Sequence, residues 1–188
     1  MSFNIAEEDK QILQLMRDTS QVERGFRLLI GKYQERLYFH IRGIVADHED
    51  TDDVLQNTFI KVFKNFHSFE EKSGLYTWLY RIATNESLSY LQSKNRRSTS
   101  SLEDEQLNLV NRISADSYTD NEDLQEKLIL AIDKLPEKQK LVFHMRYYDE
   151  MSYEEMSKVL ETSVGALKAS YHHAAKKIEA FIKGIEQY

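Results

Sequence analysis

The sequence predicts an all-α protein: two small helical domains joined by a flexible acidic linker. Three observations carry this. Apolar residues recur every three or four positions in two blocks of the chain, the period of a helix buried on one face. The 188 residues include one Pro and six Gly, too few breakers for the tight turns of an all-β sandwich or barrel. Between the blocks, Ser98 to Asp123 loses the periodicity and gathers seven acids (Glu103, Asp104, Glu105, Asp116, Asp120, Glu122, Asp123) against one base, Arg112. Ser-, Asn- and Asp-rich chain of that charge has too little apolar surface to fold on itself. The predicted organisation is therefore a first domain over 1–97, a linker over 98–123 and a second domain over 124–188.

In the first block, Ile5, Ile12, Leu13 and Met16 predict a short leading helix. Phe26, Ile30, Tyr33, Leu37, Ile41 and Ile44 step by four, three, four, four and three, one stripe of a long helix. Leu55, Phe59, Val62 and Phe66 make a second stripe, and Leu75, Trp78, Leu79, Ile82, Ala83 and Leu91 a third. In the second block, Leu124, Leu128, Ala131, Ile132 and Leu135 form one stripe. Pro136 fits a first helical position ahead of Leu141, Val142, Met145 and Tyr148. Ser152-Tyr153-Glu154-Glu155 has the pattern of a capping box, with Met156, Val159 and Leu160 after it. Thr162-Ser163 can cap a last helix that shows Val164, Leu167, Tyr171, Ala174, Ile178 and Phe181 on one face.

Composition excludes several classes. With no Cys, the chain has no disulfide scaffold, thiol nucleophile or Cys-ligated metal. Its first 20 residues carry Glu7, Glu8, Asp9, Lys10, Arg17 and Asp18, so no signal-peptide apolar region is present. No run approaches the roughly 18 apolar residues of a membrane span, and the expected compartment is the cytoplasm. The net charge of −6 resides entirely in the linker, leaving 24 basic and 24 acidic residues in the two blocks. A pI near 5.6 argues against nucleic acid only when acid is spread evenly, and here it is not.

Three constellations carry functional weight. Ser152 to Leu160, a three-residue turn and a longer helix form a helix-turn-helix. Thr162 to Lys177 holds Lys168, Lys176 and Lys177 and no acid, with Ser163, Gly165, Ala166, Ala169 and Ser170 small enough for close approach to a groove. His172 and His173 add donors. The competing reading is an ordinary helical hairpin with a solvated basic end. A second constellation is the aromatic-rich run from Phe66 to Ile82, flanked by Lys61, Lys64, Lys72 and Arg81 and followed by Lys94, Arg96 and Arg97. Stacking faces beside phosphate-binding charge suit a single strand. Trp78, spaced three from Leu75 and four from Ile82, reads as core rather than as a stacking platform, whereas Phe66 and Phe69 border a loop. Third, Asp50-Thr51-Asp52-Asp53 reads as acidic first-turn residues complementing a helix dipole. A metal there lacks a convergent third ligand, and His172 and His173 point about 100° apart. No catalytic set, cofactor site or metal site is expected.

Asp52-Asp53-Val54-Leu55-Gln56-Asn57-Thr58-Phe59 and Thr77-Trp78-Leu79-Tyr80-Arg81-Ile82-Ala83-Thr84-Asn85 closely resemble region two of the extracytoplasmic-function (ECF) sigma factors of bacterial RNA polymerase. Leu135-Pro136-Glu137-Lys138-Gln139, Met151-Ser152-Tyr153-Glu154-Glu155-Met156 and Ser163-Val164-Gly165-Ala166-Leu167-Lys168 resemble region four. The likeness covers about residues 22–97 and 122–182, in the expected order. It implies a promoter-specificity subunit without catalytic residues, binding core RNA polymerase (β′ and β subunits) and promoter DNA, and open to an anti-sigma factor.

The resemblance assigns core binding to Asp52, Asp53, Gln56, Phe59, Lys61 and Val62, on a helix that would dock on the β′ coiled coil. It assigns the minus-ten strand to Asn65, Phe66, Phe69, Ser73, Tyr76, Trp78, Arg81, Asn85, Arg96 and Arg97. It assigns the minus-thirty-five element to Ser163, Gly165, Ala166, Lys168, Ala169, His172, His173 and Lys176. The linker would thread the channel used by nascent RNA. The chain departs from the family at Ser170, His173 and Ala175, where Arg is frequent. Two other classes compete: a free-standing helix-turn-helix regulator whose N-terminal helices dimerise, and a helical adaptor without a DNA role. Only the sigma reading requires stable binding to core polymerase.

Overall fold

The computed structural model describes residues 2–98 and 122–185. All regular elements among these residues are helical. Of the predicted linker, Ser98, Glu122 and Asp123 end or begin helices, and 99–121 lies outside the described residues. The chain forms two compact units, divided between Gln92 and Ser93.

The first unit starts with α1 (Ser2–Arg17) and α2 (Val22–Val45). They cross so closely at Gly25 that a Cβ there would lie 2.7 Å from the Met16 backbone nitrogen. Ile12, Leu13 and Met16 are buried in the contact. Asp9 of α1 accepts from Lys32 Nζ (2.8 Å) and Tyr33 OH (2.7 Å) of α2. Tyr33 is fully buried, and burial followed by the bond to Asp9 pushes its phenol well above the ordinary range.

The face that α2 buries is Gly25, Leu29, Tyr33, Leu37, His40, Ile41 and Val45. The predicted stripe was centred to one side of it: Phe26, Ile30 and Ile44 are half-buried. The reason lies in the next helix, α3 (His48–Asn65), whose buried residues are Thr51, Val54, Thr58 and Val62 rather than Leu55 and Phe59. Thr58 Oγ1 donates to the Val54 carbonyl at 2.8 Å and Thr51 Oγ1 to that of Asp47, so the core accepts both hydroxyls. The large apolar side chains of α3 are thereby turned toward Phe26 and the surface.

Asp47 caps α3, its Oδ1 accepting from the Asp50 N–H at 3.0 Å. The first turn therefore holds Glu49 and Asp50, and Asp52 and Asp53 sit past it, which corrects the predicted helix start. A 3-10 turn (Phe66–Ser68) and a loop lead to α4 (Leu75–Ser98). On α4, Thr84 Oγ1 and Ser87 Oγ bond back to the carbonyls of Tyr80 (2.7 Å) and Ala83 (2.8 Å), again admitting hydroxyls to the core.

The second unit contains α5 (Glu122–Asp133), α6 (Glu137–Tyr147), α7 (Tyr153–Leu160) and α8 (Val164–Ile185). Ala131, Ile132, Leu135, Phe143, Ala174 and Ile178 make a core in which α8 is the central strut. Pro136 is the cap of α6 rather than its first residue: its carbonyl accepts from Gln139 (2.8 Å) and Lys140 (2.9 Å). The capping box forms at α7. Ser152 Oγ accepts from the Glu155 N–H at 3.2 Å, and Glu155 Oε2 accepts from the Ser152 N–H at 2.8 Å. The turn Glu161-Thr162-Ser163 starts with Glu161 in the left-handed region (φ 52°) and ends with Ser163 Oγ accepting from the Ala166 N–H at 3.3 Å.

Candidate functional site

Three surfaces gather the residues singled out from sequence. The first lies on α3. Asp52, Asp53 and Gln56 are exposed along it, about one helical turn apart from the apolar part that follows. There Phe26 and Ile30 of α2 face Phe59, Ile60 and Phe63 of α3 across an open groove of about 380 Å³. Phe26 meets Phe59 and Phe63 edge-on at 6.3 and 5.0 Å. Ile60 is 44 % and Phe63 46 % exposed, so the groove floor is apolar and open to water. Two of the expected contact residues are placed differently. Val62 is fully buried and supports this surface from beneath. Lys61 is exposed but engaged in an ion pair with Glu86 of α4.

The same helix is fixed at its other end by Tyr90 of α4, whose OH donates to Asp50. Burial, then this bond and the charges of Asp50, Asp53 and Asp47, push the Tyr90 phenol up to about 12. Asp50 is therefore a structural partner of α4, while Asp52 and Asp53 face outward.

The second surface surrounds the 3-10 turn and the start of α4. Asn65, Arg81 and Asn85 are exposed, Ser73, Tyr76 and Trp78 half-buried. Arg81, Asn85 and Ser89 form a polar ridge along α4, and Arg96 and Arg97 are exposed near its end. Arg36 of α2 stands over the Tyr76 ring at 5.4 Å, and Tyr76 packs on Tyr80 at 4.2 Å. Phe66 and Phe69 depart from the sequence reading. Both are only 8 % exposed and pack against Trp78 at 6.4 and 4.8 Å. Their rings face inward, so in this conformation they wall the surface and offer no stacking face to a base.

The third surface is the outer side of α8. Gly165, Ala166, Lys168, Ala169, His172, His173 and Lys176 are all exposed, with Ser163 at the cap. Spacings of three and four put Gly165, Lys168, Ala169, His172 and Lys176 on one face, where small residues at the N-terminal end let the backbone approach a partner. Sequence reasoning missed what holds Lys168. Its Nζ lies 5.6 Å from the centre of the Tyr153 ring, with Arg146 Cζ 5.4 Å from the same ring. Arg146 also donates to the Met151 carbonyl at 3.0 Å, and Tyr171 braces Tyr153 edge-on at 6.4 Å.

The apolar groove was missed as well, although a signal was present. Between Val54 and Phe66 stand Val54, Leu55, Phe59, Ile60, Val62, Phe63 and Phe66, more apolar residues than one buried helical stripe accommodates.

One helical unit with an open apolar groove, followed by a helix-turn-helix unit with a basic outer face, is the architecture of a DNA-binding protein with a further docking surface to account for. Sigma-70 region 2 matches residues 29–97 and sigma-70 region 4 matches residues 125–178. The chain is 31 % identical over 165 residues to the ECF RNA polymerase sigma-E factor of Escherichia coli (strain K12), covering 84 % of this chain and 86 % of that one. It is 30 % identical over 165 residues to the sigma-E factor of Haemophilus influenzae, covering 84 % and 87 %. The fold is similar to that of the sigma factor RpoE from Bartonella quintana, solved in complex with the anti-sigma factor NepR (TM-score 0.66, 21 % identity, 84 % of this chain and 96 % of that one). It is equally similar to CnrH, solved in complex with the cytosolic domain of CnrY (TM-score 0.66, 20 % identity, 94 % and 98 %). The chain belongs to the ECF sigma factors. Members of that family are promoter-specificity subunits rather than enzymes.

Proposed function

We propose that this chain binds core RNA polymerase through the α2–α3 face, directs it to promoters through α4 and α8, and promotes opening of the duplex. The observation that carries the proposal is the presence, in one chain, of an open apolar groove headed by outward carboxylates and a capped helix-turn-helix with a basic outer face. The first suits a partner helix pair carrying both apolar and basic residues. The second suits the major groove.

In this reading, Asp52, Asp53 and Gln56 dock on the β′ coiled coil, with Phe59, Ile60 and Phe63 filling the groove. Asn65, Ser73, Tyr76, Arg81 and Asn85 hold the minus-ten strand, Arg96 and Arg97 meet backbone phosphates, and Phe66, Phe69 and Trp78 shape the wall behind them. Lys168, Ala169, His172 and Lys176 read or bracket the minus-thirty-five element. Ser163, Gly165, Ala166 and His173 complete that face. The domains are taken as 1–97 and 124–188, with 98–123 as the connecting acidic linker. The chain carries no catalytic residues of its own and works in the cytoplasm; among the described residues no helix is long and apolar enough to cross a membrane. An anti-sigma factor covering the same apolar groove would hold it inactive.

The test is transcription in vitro with core polymerase on genomic template, followed by sequencing of the transcript starts. Starts that share an upstream pair of elements and depend on this chain support the proposal. Random starts, or none above core enzyme alone, reject it.

A further inference from the structure

We propose that the ion pair between Arg17 and Glu71 positions the loop beside the minus-ten surface, so that α1 takes part in selecting the promoter. The inference rests on the sigma reading above and extends it to two residues outside the assigned surfaces.

The loop runs from Phe69 to Gly74 and connects the 3-10 turn to α4. Both ends are fixed: Phe69 is buried against Trp78, and Leu75 is 2 % exposed. Between them, Glu70, Glu71 and Lys72 are exposed and Ser73 is half-buried. Glu71 has φ 56°, a left-handed backbone that a non-glycine residue adopts at a cost. Such a conformation persists where surrounding contacts impose it. Within the loop Glu70 is paired with Lys72, and Glu71 turns instead to Arg17. That contact spans 54 residues of sequence.

Arg17 is a firm anchor. It is the last residue of α1, one position after Met16, whose backbone is in the close crossing at Gly25. Just after it, Asp18 accepts from Ser20 N (2.9 Å), Ser20 Oγ (2.6 Å) and Gln21 Nε2 (3.1 Å), fixing the turn into α2. The guanidinium therefore projects from a rigid corner, and the loop is held to it at its strained residue. Ser73, two residues on, is the assigned group whose placement follows the loop. Arg17 and Glu71 act through it and are positioning residues.

The experiment uses the full chain in holoenzyme. Permanganate reactivity of unpaired thymines reports opening, and selection from templates randomised across the minus-ten element reports base preference. Arg17→Gln and Glu71→Gln should each lower opening by about two- to fivefold, the range spanned by an exposed ion pair, and flatten the base preference. The exchange Arg17→Glu with Glu71→Arg should restore both, with core binding and helical content unchanged throughout. A merely structural loss would show in the single variants as lowered helical content and core binding, which the proposal leaves unchanged. Single variants that open and select like the wild type overturn the proposal. So does an exchange variant as impaired as the singles, since each group would then act alone. A wild-type chain that opens no promoter fails the sigma reading itself, a result distinguishable from a wild type that opens normally alongside unaltered variants.

Discussion

Phe63→Ala separates what the groove contributes to binding from what it contributes to folding. Phe63 is 46 % exposed. A Phe side chain presents on the order of 200 Å², so about 90 Å² remains for a partner to cover. At about 25 cal/mol/Å² that area is worth about 2 kcal/mol, a factor of about thirty in affinity. Interface costs reduce the conversion of area into affinity, and the expected loss of core-polymerase binding is about tenfold or more. The buried part of the ring, including its edge contact with Phe26 at 5.0 Å, belongs to the free fold. Its loss should cost up to about 3 kcal/mol and lower the melting temperature by several degrees. Fluorescence anisotropy against labelled core enzyme reads the first quantity and a thermal melt followed by circular dichroism the second. A variant that melts earlier yet binds core within about threefold of wild type would refute the assignment of the groove as a docking surface.

Reversing Asp52 and Asp53 to Lys should weaken pull-down of core polymerase while leaving helicity unchanged, because both lie beyond the first turn of α3; Asp47→Ala, which removes the cap, should instead cost about 1 kcal/mol of stability. Lys168→Ala should reduce use of promoters that depend on a minus-thirty-five element, read by transcription from paired templates; a purely phosphate-binding role would lower binding to all sequences alike and reduce the salt slope by about one unit. The Tyr90 phenol, raised to about 12 in the fold, stays protonated where an unfolded Tyr ionises near 10. Its contribution to stability is thus complete below about pH 10 and is lost as pH rises through 12. Ultraviolet titration should show a phenol near 12 that disappears in Tyr90→Phe, while the buried Tyr33 still ionises later; a wild-type curve from which Tyr90→Phe removes only a phenol ionising near 10 would contradict the bond to Asp50.

The helices were legible in the sequence because their caps and breakers are local: Ser152 with Glu155, Ser163 at the turn, and Pro136 displaced by a single position. The facing of α2 and α3 was less legible. Hydrophobicity alone selects Leu55 and Phe59 for the core, but Thr51 and Thr58 take it, since their hydroxyls bond within their own helix. The large apolar groups are then released to a groove that only the packing of α2 against α3 defines. The exposed face of α8 was legible because exposure there follows directly from the buried Leu167, Ala174 and Ile178. Burial of Phe66 was half legible, since it ends an apolar stripe as well as bordering a loop; that of Phe69 was not, because it depends on Trp78 packing against it across a short loop. The ring that holds Lys168 comes from α7, and spacing along one helix carries no trace of it.

Trp78 is the only tryptophan in the chain, and it packs on Phe66 and Phe69, at the wall of the surface assigned to the minus-ten strand. Light absorbed at the red edge of the protein spectrum, where the 11 tyrosines are nearly transparent, therefore excites one indole at that wall. The helix-turn-helix unit is dark at this wavelength. If the proposed function holds, this indole is an intrinsic reporter of single-strand engagement: bases arriving against the wall would alter its emission, while events at α8 would not do so directly. A stopped-flow fluorescence trace of the unlabelled chain would thus time the arrival of bases at that wall separately from events at α8.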